Sequence, residues 1–139
     1  MTQLNTDARQ LLESAALAHL VTINPDGSPQ VSVVWTGLDG IEIVVGHLGH
    51  GQKLRNIEHD GRVAITFEGP GTTGPGLANY LTIYGCARIT AGGAPELLQS
   101  LAVTYLGPGI KFPPFDDPAP GHVIHIAIER ITGVGPWAK

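Results

Sequence analysis

Apolar and polar residues alternate in short bursts along most of the chain, with a few stretches of helical period between them. Residues 19–24, 29–38 and 41–46 show the period of two that half-buried strands require, separated by the turn sequences Pro25-Asp26-Gly27-Ser28 and Asp39-Gly40. This pattern predicts an antiparallel meander. A fourth strand is expected at 62–67 after Asp60-Gly61, a long one at 79–90 and a last at 122–131. Leu4, Ala8, Leu11, Leu12, Ala15 and Ala16 share one side of a helix that Asn5 or Thr6 caps and that reaches His19. A short helix is expected before Asp60, and another over 94–106. Residues 69–76 and 107–121 are rich in Gly and Pro and read as irregular loops. Hairpin-length connections cannot make parallel crossovers, so the expectation is a mainly β fold: a small six-stranded antiparallel barrel with peripheral helices.

Length and composition narrow this picture. The 139 residues fit one domain, 1–139, without an internal repeat. Charged residues make up 14% and hydrophobic ones 42%, which suggests apolar surface hidden against a partner subunit. A formal net charge of −4 with no basic patch argues against a nucleic-acid partner. The sequence contains neither a recognisable signal peptide nor an apolar run near 18 residues, so no membrane span is expected and the chain reads as cytoplasmic. Cys86 is the single cysteine and is expected to be a small packing residue within its strand.

The candidate chemistry sits in Gly46-His47-Leu48-Gly49-His50-Gly51-Gln52-Lys53-Leu54-Arg55, where a glycine-loosened loop opens into a basic helix. Unpaired N–H groups at a helix start favour an anion, to which Lys53 and Arg55 add charge. Gly46 and Gly51 have Walker spacing, but Gln52 precedes Lys53 and no Ser or Thr follows it, so nucleotide hydrolysis is not expected. His47 adjoins the loop and is a candidate ligand contact, whereas His50 reads as exposed. The spacing of His47 and His50 suits some zinc sites, yet no cysteine cluster or HExxH frame accompanies them, so no metal site is expected. His19 is expected at a helix end, and Asp116-Asp117 as a solvated pair.

The ordered set Gly27-Ser28-Pro29-Gln30-Val31-Ser32-Val33-Val34-Trp35, Asp39-Gly40, Lys53-Leu54-Arg55-Asn56-Ile57, Asp60-Gly61-Arg62-Val63-Ala64-Ile65 and Tyr84-Gly85-Cys86-Ala87-Arg88-Ile89 resembles the pyridoxamine 5′-phosphate oxidase-like FMN-binding split barrels. Within them it is most similar to the deazaflavin (coenzyme F420)-dependent oxidoreductases. The resemblance implies a six-stranded split β-barrel that works as a homodimer, with the cofactor in a cleft between subunits. It implies that Lys53 and Arg55 hold the cofactor phosphate, with Gly51 and Gln52 beside it. Gln30, Ser32 and whichever of Val33 and Val34 faces the ring system would meet it, and Tyr80 would reach it from the neighbouring subunit.

Where the vitamin B6 oxidases carry an Arg beside the phosphate-binding Lys this chain has Gln52, and residues 31–36 lack the basic positions of those oxidases. F420 is therefore expected ahead of FMN. The expected activity is hydride transfer between reduced F420 and an unsaturated hydrophobic small molecule, with no catalytic side chain required. The alternatives are an FMN-dependent oxidase or reductase of the same fold and a non-catalytic flavin-, haem- or tetrapyrrole-binding protein.

Overall fold

In the computed structural model, which describes residues 3–137, ten elements follow one another. Helix α1 (Thr6–Leu12) precedes strands β1 (Ala18–Ile23), β2 (Pro29–Val34), β3 (Gly37–Asp39) and β4 (Glu42–His47). Helix α2 (Gln52–His59) leads into β5 (Arg62–Thr73) and β6 (Leu77–Ala91), then α3 (Ala94–Tyr105) and β7 (His122–Val134). All strand pairs are antiparallel, in the order β2-β1-β5-β6-β7-β4-β3.

The fold is thus mainly β with three helices, but the six-stranded barrel expected from the sequence is corrected to an open sheet of seven strands. Residues 29–38 do not form one strand, because the chain leaves the ladder at Trp35 and Thr36. There Thr36 N donates to Tyr105 Oη at 3.1 Å, and the Trp35 ring stacks on Tyr105 with centroids 5.1 Å apart. Phe112 makes a second, tilted ring contact with Trp35, with centroids 5.0 Å apart. This aromatic cluster separates β2 from β3, and the two remain edge strands although two residues apart in sequence.

Three further expectations are revised. Helix α1 ends at Leu12 rather than near His19, where Ser14 Oγ donates to Leu11 O at 2.7 Å; His19 lies in β1. Residues 69–73 belong to β5 instead of a flexible loop, across a register shift between Glu68 and Thr72. Asn79 holds that stretch by donating from Nδ2 to Pro70 O at 3.0 Å, and Gly69 leaves the space that the Trp137 ring fills: a Cβ there would fall 2.3 Å from Trp137 Cη2. Cys86 points outward from β6 and is exposed.

Strand alternation sends Leu20, Val63, Ile65, Phe67, Leu81, Ile83, Ile124 and Ile126 to one side, where they meet Leu11 and Leu12 of α1 and Leu54 and Ile57 of α2 in one core. Each fully buried Leu, Ile or Phe contributes about 1.5–3 kcal/mol. Helix α2 packs against β1 and β6, which fixes its basic face relative to the sheet. Among the described residues no helix is long and apolar enough to cross a membrane.

Candidate functional site

The start of α2 is built from β4 outward. His47 ends β4 opposite His122 of β7, and its Nδ1 lies 2.9 Å from Gly49 O. Its ring flanks the helix start: a Cβ on Gly51 would sit 3.7 Å from His47 Cε1. Gly51 is the N-cap, with no side chain to cap the first turn, and that turn contains no acidic residue. The first N–H groups of the helix are thereby left to an outside acceptor.

Lys53 is half-buried here with no ion-pair or hydrogen-bond partner among the described residues. Burial pushes its ammonium below the ordinary lysine value, because desolvation disfavours the charged form. Arg55 is exposed, and its Nη2 donates to Gln52 Oε1 at 3.0 Å. Gln52 Nε2 in turn donates to Asn56 Oδ1 at 2.6 Å. His47 therefore adjoins Gly51, and Gln52 ties Arg55 to Asn56, while among the described residues no side-chain hydrogen bond or ion pair joins Lys53 to any of them.

The residues of β2 divide. Gln30, Ser32 and Val34 point to the core side, and Val31 and Val33 point outward at 57% and 54% exposure. Gln30 joins the α2 cluster indirectly: its Oε1 accepts from Thr22 Oγ1, which accepts from Asn56 Nδ2, both at 3.0 Å. Ser32 Oγ is buried without a partner, the state of a hydroxyl that a ligand could satisfy. Val34 belongs to the hydrophobic core, so of the two valines only Val33 is open to a ligand or a partner. Tyr80 is on the outer face of β6, half-exposed like Tyr84, over whose ring Arg130 sits at 4.2 Å.

Sequence reasoning missed Asn56, which is fully buried at the centre of this network. The available signal was a polar residue beside Leu54 and Ile57 on the covered side of a short helix. His50 is exposed as expected and contacts Glu58 at 3.2 Å, with its ring 5.5 Å from that of His122. Among the described residues no group of three His, Cys, Asp or Glu side chains has metal-binding geometry. Trp137 lines a 240 Å³ cavity with Leu11, Pro70 and Asn79, while Lys111, Phe112 and Phe115 line a separate 530 Å³ groove.

The described residues thus place an uncapped helix start carrying Lys53 and Arg55 beside an antiparallel sheet. The sequence profile of the pyridoxamine 5′-phosphate oxidase family matches residues 4–135, and the chain belongs to that family. No curated protein sequence matches the chain. Among solved structures, an F420 reductase is similar at 29% identity and a TM-score of 0.74, covering 89% of this chain and 94% of its own. A conserved hypothetical protein from Mycobacterium tuberculosis shares 23% identity at a TM-score of 0.72, over 96% and 89% of the two chains. HupZ from Group A Streptococcus shares 23% at 0.67, over 99% and 98%. The latter two likenesses concern the fold alone.

Proposed function

We propose that this chain is a single cofactor-binding domain, 1–139, of an F420-dependent oxidoreductase that reduces an unsaturated hydrophobic small molecule. The observation that carries the reading is Lys53: a half-buried ammonium with no partner among the described residues, beside an uncapped helix start. Desolvating a charge without pairing it costs free energy, and an anion at the start of α2 offsets that cost. Gly51 and Gln52 offer backbone N–H groups, Arg55 a planar guanidinium, and His47 a flanking ring. The residues present therefore fit a phosphate-bearing cofactor, and the buried unpartnered hydroxyl of Ser32 on β2 adds a site for a polar ring atom.

When bound, a deazaflavin supplies the hydride chemistry. The chain's own part is to grip the anionic tail through Lys53 and Arg55, orient the ring system and exclude water. The exposed Val31, Val33, Tyr80 and Tyr84 form an apolar outer face suited to a second copy of the chain, which would complete the cleft and bring Tyr80 to its neighbour's cofactor. Similarity to an F420 reductase supports the deazaflavin. Membership of a family that generally binds flavin supports the second reading, an FMN-dependent enzyme.

Titration of the purified protein with F420 and with FMN separates the two. F420 should bind more tightly, and reduced F420 should be reoxidised by an enone or quinone faster than in a protein-free control, without peroxide. Tight FMN binding with no F420 binding would transfer the assignment to the FMN enzyme. Light scattering of the loaded protein should give a dimer.

A further inference from the structure

Asn56 is fully buried, so its side-chain amide depends on partners within the protein. Both N–H bonds of its amide are committed: Nδ2 donates to Thr22 Oγ1 at 3.0 Å and to Asn24 Oδ1 at 2.9 Å. Its Oδ1 accepts from Gln52 Nε2 at 2.6 Å. Three partners, on β1, on the turn after it and on α2, set both the plane of the amide and which end is oxygen. Gln52 inherits that sense. With its nitrogen turned to Asn56, its Oε1 faces the guanidinium and accepts from Arg55 Nη2 at 3.0 Å.

We infer that Asn56 is a positioning residue for the anion cradle: by orienting Gln52, it aims the guanidinium of Arg55. The inference rests on the cradle reading given above. Arg is a long side chain whose rotamer freedom opposes any grip on a ligand, and a group that holds it beforehand lowers that cost. A carboxylate at position 52 would hold Arg55 too, but it would neutralise the charge that the anion needs. A neutral amide orients and leaves the charge uncompensated, provided the amide itself cannot swing. Asn56 removes that freedom. The far end of the relay is anchored as well, since Thr22 Oγ1 donates to Gln30 Oε1 at 3.0 Å and Asn24 Nδ2 donates to Ser28 Oγ at 3.1 Å. The cradle's exposed arginine thus rests, through the amides of Gln52 and Asn56, on Thr22 of β1, Gln30 of β2 and Asn24 in the turn between them.

A double-mutant cycle tests this. Wild type, Asn56→Ala, Arg55→Ala and the double variant are titrated by calorimetry with inorganic pyrophosphate and with F420 and FMN, and their melting temperatures are followed in parallel. Asn56→Ala should weaken binding about tenfold when Arg55 is present, in the range typical of residues that orient a direct ligand contact. It should cost less than about twofold once Arg55 is Ala, because the two act as one unit. A purely structural role would lower the melting temperature and give the same loss in both backgrounds; that result, or unchanged affinity in Asn56→Ala, overturns the inference. If Asn56→Ala does not fold, Gln52→Leu breaks the relay one bond nearer to Arg55 and is put through the same cycle with the same criteria. Wild-type protein that binds none of the three probes refutes the cradle itself, and the role of Asn56 falls with it.

Discussion

The helices of this protein begin in two contrasting ways. At α1, Asn5 Oδ1 accepts from Ala8 N at 2.9 Å and Asp7 stands in the first turn. At α3, Ala94 N donates to Pro120 O at 3.1 Å, Pro95 has no N–H to satisfy, and Glu96 faces the dipole. The start of α1 is closed by a side-chain cap; α3 also begins at a glycine without one, Gly93, but its first N–H finds a carbonyl, its second residue has none and an acid stands in its first turn. Helix α2 begins at a glycine with no side-chain cap, no acid in its first turn and Lys53, which has no partner among the described residues. A helix start that its own chain satisfies is a stabilising device; the one left open beside a desolvated cation is the one on which the proposed ligand site rests.

The contrast can be broken most directly at Lys53. Lys53→Ala should weaken anion and cofactor binding by about 1–3 kcal/mol, the range for a charge-assisted contact, while the melting temperature stays level or rises because an unpaired charge has gone. Arg55→Ala should lose a similar amount. Unchanged affinity in both variants would make α2 an ordinary solvated helix.

Removing the cap of α1 is the converse experiment. Asn5→Ala should cost about 1 kcal/mol of stability in denaturant unfolding and leave cofactor affinity untouched. A matching fall in affinity would mean that the two helix starts are coupled rather than distinct.

Proton linkage sharpens the comparison without mutation. Burial lowers the Lys53 pKa from 10.5, so the free protein loses this proton earlier than an exposed lysine would. A bound anion favours the charged form and raises the pKa again, so binding should take up protons in the alkaline range and affinity should fall as pH rises through the lowered value. Calorimetry in buffers of different ionisation enthalpy measures the uptake; none in wild type, or the same uptake in Lys53→Ala, would assign the linkage elsewhere.

The smallest effect lies at the closed end of α2. Asp60 N donates to Asn56 O at 2.7 Å, and the Asp60 carboxylate is held at a pKa of about 2, first by its hydrogen bonds from Arg62. Its folded pKa is below the ordinary 3.8, so this contribution is present above that value and is lost as pH falls toward 2. Both side chains are solvent-screened, so Arg62→Gln should shift acid unfolding only slightly. A large shift would mean that the C-terminal end matters as much as the N-terminal one.

Much of the strand content was legible because burial on one face imposes a period of two whatever lies across the sheet. The basic helix was legible too, since Gly51, Lys53 and Arg55 are contiguous. The errors fell where distant residues decide. Residues 69–73 look like a loop by composition, but Asn79 and Trp137 hold them in β5. Trp35 and Thr36 look like mid-strand, but Tyr105, some 69 residues away from Thr36, draws the chain out of the ladder. Cys86 lies in an apolar run, yet the pleat turns it outward.

By itself, the sequence determined the alternation that builds the sheet, the family that its ordered motifs resemble and the charges at the start of α2, because each is a local or contiguous property. Only the tertiary structure decided that the sheet stays open between β2 and β3, that Val34 is core while Val33 is free, and that Asn56 links Gln52 to Thr22 and Asn24. It also decided that Lys53 is half-buried without a partner among the described residues. These depend on which groups meet across many residues of intervening chain, and the energy of a buried polar group is set by the partners that packing brings to it.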